Sequence, residues 1–426
     1  MYIFFSILAF TFIIFVHELG HLLFAKLFKV KVEIFSIGIG PSLFKFKIKD
    51  TEYRFSPIFL GGYCKLKGSE HLENELRLNK ELEADKDSIF GVSHFKRMLI
   101  YFAGPLFNLI LALIVFVAIE MIGIVYPDSS SKIIVINKDG SSKFRDGDVI
   151  LSVNDSNIQY FSDLKRVVPV KDSRVAFTVL RDGANVTFED NTSFDKLLKE
   201  INPWINLFVA KVKKNSSAEV AGLKPNDKIV SINDIAVSNN GALDDVINKL
   251  DVNVVDIQYE RDGEILTSKL VFQDTNKSLG IYLLPDLERL VRASNLGVAF
   301  KNSFSKVLDI LGRILYSIFE LLTNFINNSR KIAGPVGMIN FFAESFSFGV
   351  LYWLDTFAFF NLIVAGMNLF FVVIPMLDGG QILITLIEFL RGKRFRAKVI
   401  YYFYLVGVLM MVSLFILGFL NDLGNL

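Results

Sequence analysis

The segment "IFVHELGHLLF" (14–24) places His17, Glu18 and His21 inside an apolar run that begins at Tyr2. On a helix, positions four apart share one face about one turn apart. His17 and His21 can therefore offer two imidazoles to one ion. Glu18, offset by one residue, is placed to reach a water on that ion rather than the ion itself, which is the mechanical content of a His-Glu-x-x-His motif. Ionisable residues in an apolar span are costly and mark function by default. A plain pair of histidines in a polar helix contact is the alternative.

A catalytic zinc takes three protein ligands and leaves one position open. The chain has four histidines, and His71 and His94 lie in polar surroundings that read as surface. The third ligand is then expected to be a carboxylate, and Asp378 in "VVIPMLDGG" (372–380) is the best placed. Pro375 before it implies a helix break, and Gly379 and Gly380 are expected to let the backbone turn. Glu120 competes, but its span runs the other way and puts it near the opposite face, where it would snorkel or pair. In "YFAGPLFNLILAL" (101–113), Gly104 and Pro105 are expected to interrupt the helix. Asn108 beyond them could donate to an oxyanion or hold a substrate carbonyl; an interhelical packing role is the alternative. Asn361 and Asn368 are weaker versions of the same idea. The single cysteine, Cys64, excludes an internal disulfide and reads as a small packed side chain.

These side chains need elements to hold them. Hydrophobic residues make up 52% of the 426 positions, too many for an ordinary soluble enzyme. Four stretches, 2–25, 99–125, 355–377 and 399–420, are long enough to span a bilayer, which takes about 20 apolar residues each. A fifth, 307–326, carries Arg313 and Glu320 on one face and reads as an interfacial amphipathic helix. The first span has no basic start and no small-residue cleavage site, so it reads as retained rather than as a signal. The linker "RGKRFRAK" (391–398) is strongly basic and should be cytoplasmic. Four spans then place the loop 26–97 inside and the block 127–290 outside. His17 would lie about 24 Å down its helix at 1.5 Å per residue. The net charge of +2 carries no nucleic-acid signature. Alternating residues and glycines over 28–68 read as short strands and turns, and the mixed-charge stretch 70–88 as a solvated helix or loop.

Within the soluble block two similar passages occur, 141–168 and 217–250. Each runs as a turn, an Asp, an alternating strand, Asn-Asp and a short helix. Strands ending at "LRDG" (180–183) and "ERDG" (260–263) follow. This is an internal duplication. The pattern resembles PDZ domains of bacterial proteases, which take peptide termini by strand addition beside a helix. A spacer or steric gate with no ligand is the alternative.

With these residues in hand, the chain resembles the site-2 protease family of intramembrane zinc metalloproteases, in particular bacterial RseP-type members with tandem PDZ domains. The resemblance rests on "HELGH", "FSIGIGP" (35–41), "DTEYRF" (50–55), "LGGYCKLKG" (60–68), "AGPLFN" (103–108), the two repeats, "AGPVGM" (333–338) and "LDGG" (377–380). It implies that His17, His21 and Asp378 bind Zn²⁺, that Glu18 is the base, and that Gly61, Gly62, Tyr63, Asn108, Asn368 and Pro375 help position substrate. It also implies that the strand-rich loop pairs with an unwound substrate helix. Val373 stands where the family usually has its first proline, Phe370 where it has an asparagine, and Phe59 where proline is common.

The expected fold class is an α-helical polytopic membrane protein with four transmembrane helices, a membrane-associated β-rich loop and two inserted α+β PDZ-like domains. The expected domains are an N-terminal membrane core over 1–126, PDZ-like domains over 127–200 and 201–285, an amphipathic surface helix and linker over 286–345, and a C-terminal membrane core over 346–426. The resemblance implies hydrolysis of a peptide bond in or near the transmembrane segment of single-pass membrane proteins, in a bacterial inner membrane. Anti-sigma-factor cleavage or clearance of signal-peptide remnants would be its setting. The partners would be those substrates, the lipid bilayer and peptide termini at the PDZ-like domains, with no nucleic acid. A membrane-tethered protease of soluble peptides, a non-catalytic PDZ scaffold and a metal transporter are the competing readings.

Overall fold

The computed structural model describes residues 2–68, 85–136, 140, 142–169, 171–272, 277–325, 329 and 332–424. His71 and most of the stretch 70–88 lie outside these residues. The chain divides into two compact units, 1–124 with 292–426, and 125–291.

The first unit opens with helix α1 (Tyr2–Leu27). Two of its hydroxyls turn back onto their own helix, Ser6 Oγ donating to Tyr2 O at 3.0 Å and Thr11 Oγ1 to Ile7 O at 2.8 Å. This satisfies two side-chain donors within an apolar helix. Four strands follow: β1 (Val32–Ile39), β2 (Phe44–Ile48), β3 (Thr51–Phe55) and β4 (Ile58–Leu66). They pair in the order β2-β3-β1-β4, with β1 parallel to β3 and antiparallel to β4. Strand β4 is therefore an edge strand, and it packs against α1. Val32, Phe35, Leu22, Ala25 and Ile100 form the core beneath the sheet.

Helix α2 (His94–Ile122) starts at Ser93, whose side chain accepts from Lys96 N. It is continuous through Pro105, so the expected interruption at Gly104–Pro105 does not occur. A proline removes one backbone donor, and within an apolar span neighbouring groups can re-satisfy the freed carbonyl. Helix α2 packs closely on α1. A Cβ on Gly20 would lie 2.7 Å from the carbonyl carbon of Ala103, so only glycine admits the approach.

The second unit shows the duplication in its strand order. After β5 (Ile124–Asp128) and β6 (Ile133–Val135), the first copy comprises β7 (Val149–Val153), β8 (Ser156–Asn157), the short helix α3 (Leu164–Val167), β9 (Ser173–Arg181), β10 (Ala184–Thr192), α4 (Phe194–Glu200) and β11 (Ile201–Pro203). The second has β12 (Val209–Val212), α5 (Ser217–Val220), β13 (Lys228–Ile232), β14 (Ile235–Ala236), α6 (Asn240–Asn248), β15 (Val254–Arg261), β16 (Glu264–Val271) and β17 (Ile281–Leu283). Strand β18 (Leu287–Val291) pairs with β5. The four-stranded sheets are β10-β9-β7-β8 and β16-β15-β13-β14, the same order twice.

The turn chemistry repeats too. Asn154–Asp155 and Asn233–Asp234 each put two consecutive residues at positive φ, as do Asp182–Gly183 and Asp262–Gly263. Two-residue hairpins of type I′ need this backbone. In each copy a buried aspartate takes a two-pronged arginine: Asp148 from Arg181 Nε and Nη2 at 2.8 and 2.7 Å, and Asp227 from Arg261 at 2.7 and 2.7 Å. The same two carboxylates accept from Arg145 N and Lys224 N. The pair fastens the turn before β7 or β13 to the end of β9 or β15.

Returning to the first unit, helix α7 (Leu296–Thr323) is capped by Asn295, whose Oδ1 accepts from Val298 N at 3.0 Å. It begins well before the expected 307. Val307 packs with Ala112 and Phe116 of α2. Glu120 pairs with this helix through Asn302 Nδ2 at 3.3 Å.

Helices α8 (Pro335–Ser345), α9 (Val350–Phe370), α10 (Asp378–Arg391) and α11 (Ala397–Gly424) complete the unit. The stretch expected to span 355–377 as one helix stops at Phe370, and 371–377 is turns. Pro375 lacks an N–H and disfavours the helical conformation for the residue before it. Asp378 therefore opens a further helix, α10, instead of closing the span. In all, four described helices, α1, α2, α9 and α11, are long and apolar enough to cross a membrane.

Candidate metal centre

Three side chains from α1 and α10 converge. His17 Nε2 lies 3.0 Å from Asp378 Oδ2, and His21 Nε2 lies 3.4 Å from Asp378 Oδ1. The two Nε2 atoms are 3.3 Å apart. All three ligand atoms fall within 4.8 Å of one another, the one such grouping of His, Cys, Asp and Glu among the described residues. The imidazoles are buried, at 7% and 8% exposure.

The atoms present fit a divalent metal. His21 Nδ1 lies 2.8 Å from Ile100 O, and a carbonyl only accepts, so Nδ1 carries the proton and Nε2 offers a lone pair. That lone pair faces the Nε2 of His17 and a carboxylate. Asp378 Oδ2 is buried, facing His17 Nε2 at 3.0 Å. If both imidazoles present Nε2 lone pairs, these three groups repel each other unless a cation lies between them, and two imidazoles with a carboxylate are an ordinary zinc donor set.

The neighbours show why these residues meet. A Cβ on Gly104 would lie 2.8 Å from His17 Cε1 and closer still to His21 Nε2. Gly104 is thus the floor on which both rings rest, which is the use of the glycine in place of the expected helix break. Gly379 and Gly380 also serve close approach rather than a turn. A Cβ on Gly379 would meet the backbone of Leu369 and Asn368, and one on Gly380 would lie 2.7 Å from Pro375 Cα. Both lie within α10, and their bareness lets the start of that helix tuck under the end of α9.

Other residues singled out by sequence fall at different distances. Gly62 on β4 lies against the candidate base, since its Cβ would sit 3.5 Å from Glu18 Cγ. Gly61 packs against the Ile39 side chain. Tyr63 Oη accepts from Arg54 Nη1 at 3.4 Å. Asn108 is fully buried with its amide nitrogen 3.5 Å from His17 Nδ1. It lies against the Nδ1 side of the His17 ring. Asn361 and Asn368 donate to their own helix, at Phe357 O and Val364 O, both at 2.9 Å. Pro375 O accepts from Gln381 Nε2 at 2.6 Å. His94 is half-buried beside the Phe389 ring and away from the cluster. Burial pushes the Cys64 thiol well above its ordinary range, so it stays protonated.

One feature left no signal in the sequence. Arg97 near the start of α2 is buried against Glu388 of α10, with its Nε donating to Thr385 Oγ1 at 3.0 Å. Glu388 also accepts from Phe395 N at 2.9 Å. This pair ties the helix that floors the histidines to the helix that carries Asp378.

Comparison with known proteins agrees with the geometry. Residues 5–414 match the model of peptidase family M50. A Borreliella burgdorferi protein is 58% identical, with 100% of this chain and 99% of the relative aligned, and a Treponema pallidum protein is 28% identical over 96% of each. Both carry zinc-metalloprotease names. A Haemophilus influenzae protein named Regulator of sigma E protease is 26% identical over 98% of this chain and 97% of its own length. The chain is membrane-integral and belongs to peptidase family M50, the site-2-type metalloproteases.

Proposed function

We propose that this protein is a zinc endopeptidase that cuts a peptide bond within or near the transmembrane segment of single-pass membrane proteins. The observation that carries the reading is the meeting of His17, His21 and Asp378 beside Glu18, among helices apolar enough to sit in lipid. Those three residues would hold the zinc, which when bound polarises a carbonyl and acidifies water toward a pKa of about 7. Glu18 accepts a proton from the attacking water and delivers it to the departing amide nitrogen. Edge strand β4, running past Glu18 at Gly62, offers backbone groups to an extended substrate segment. Pairing there would unwind a helical substrate and expose an amide that its own hydrogen bonds had shielded.

The same reading places the basic linker 391–398 and the zinc site toward the cytoplasm of a bacterial inner membrane. The duplicated sheets would lie outside as PDZ-like modules that receive peptide termini. The name of the Haemophilus relative supports a role in regulated proteolysis, such as that of an anti-sigma factor. Signal-peptide remnants are a second substrate class of the same chemistry.

Glu18→Gln tests the proposal in native membranes. We expect turnover of a membrane-spanning substrate to fall by roughly 10²–10⁴-fold, the usual worth of a positioned general base, while the protein inserts and keeps its metal. Normal turnover by Glu18→Gln would reject it. Metal analysis separates the enzyme from a scaffold: about one zinc per chain, lost in His17→Ala, against none in either protein.

A further inference from the structure

We infer that Asn108 is the positioning residue of His17: its side-chain oxygen accepts the Nδ1 proton and so keeps Nε2 free for the metal. The inference rests on the zinc reading above. His21 has such a partner in Ile100 O, which fixes the tautomer of that ring. His17 needs one as well, because a ring that ligates through Nε2 must carry its proton on Nδ1. Asn108 is the group at that nitrogen, 3.5 Å away and 0% exposed.

The amide as placed turns its NH₂ toward Nδ1, and its Oδ1 is buried without a partner. That arrangement makes Nδ1 the lone pair and forces the proton onto Nε2, where it would point at Asp378 and exclude a metal. Oxygen and nitrogen of an amide are nearly the same size, and a half-turn exchanges them within the same space. The turned amide gives the unpartnered oxygen a donor and gives His17 the tautomer that ligation needs.

The spacing in α2 supports this assignment. Ile100, Gly104 and Asn108 are four residues apart and share one helical face. Ile100 holds His21 and Gly104 leaves room for both rings. Asn108 then stands to His17 as Ile100 stands to His21, in the order an antiparallel helix requires.

The test uses the full-length protein in detergent, with Asn108→Leu, which matches the shape and accepts nothing, and Asn108→Asp, which keeps an acceptor. Zinc affinity is read by chelator competition and coordination by the visible spectrum of the Co²⁺-loaded protein. We expect Asn108→Leu to bind zinc roughly 10–100-fold more weakly, as loss of a ligand's supporting hydrogen bond does, with altered cobalt bands. Asn108→Asp should stay near wild type in both. Should Asn108→Leu fail to fold, Asn108→Ala carries the same expectation. Wild-type affinity and spectrum in the Leu or Ala variant would overturn the inference, as would an Asp variant as weak as either. A wild-type chain that binds no zinc would overturn the proposed function before any variant is compared.

Discussion

At the scale of single residues, the site depends on what is missing as much as on what is present. The bare Cα of Gly104 faces both imidazoles. Gly104→Ala should therefore push a methyl group into them, costing about 1–3 kcal/mol as overpacking does and splitting the ligand pair. The expected result is a lowered thermal midpoint and loss of zinc to a chelator that wild type resists; an alanine variant with full zinc would refute it. The side chains that meet at the centre were readable by type. Two histidines four apart in an apolar span, and a carboxylate beside a proline, have few other reasons to be there. The roles of Gly104 and Asn108 were not readable in the same way, because each depends on which helix faces them. A glycine next to a proline reads as a break until another helix is seen lying on it. Asn108 was singled out for its type, but that it lies against the His17 ring is visible only in the structure.

Among elements, the register of α10 against α2 decides where Asp378 points. The buried Arg97–Glu388 pair, backed by Thr385, sets that register more than two helical turns beyond the carboxylate. Removing one partner leaves the other charge buried alone, which costs about 3–5 kcal/mol. Arg97→Leu should accordingly lower the unfolding midpoint and loosen zinc although residue 97 touches no ligand. The double variant Arg97→Leu with Glu388→Leu should recover much of the stability, since neither charge is then stranded. If the single and double variants are equally unstable, the pair is not the clamp described here. The four spanning helices were legible because 18-residue apolar windows have little other use. Helix α10 was not, because its apolar residues alternate with polar ones and merge with the end of the preceding span. The edge position of β4 was legible only as a strand, since strand order is a property of pairing rather than of one segment.

On the scale of the whole molecule, the unit 125–291 carries one device twice. Burial alone would raise the Asp227 carboxyl, but Arg261 and the Lys224 N–H outweigh it and hold the group below its ordinary range. An unfolded aspartate titrates near 3.9. The stability this pair supplies is therefore whole above about pH 4 and is lost as pH falls through the lower folded value. Hydrogen exchange in β13 and β15 should show protection that fails under acid, and Asp227→Asn should weaken it already at pH 7. Unchanged protection in that variant would contradict the role. The duplication was visible in the Asn-Asp and Asp-Gly turns, whereas the pairing of each Asp with its Arg needed the sheet. A carboxylate at the far end of the chain reaches back in the same manner. Asp422 of α11 accepts from Gly334 N and Gly337 N, both at 2.9 Å, and so seats the first turn of α8. Helix α8 in turn buries Phe342 in one cluster with Ile13, a single turn before His17. Replacing Asp422 with alanine would thus unlatch a brace that ends beside the histidines.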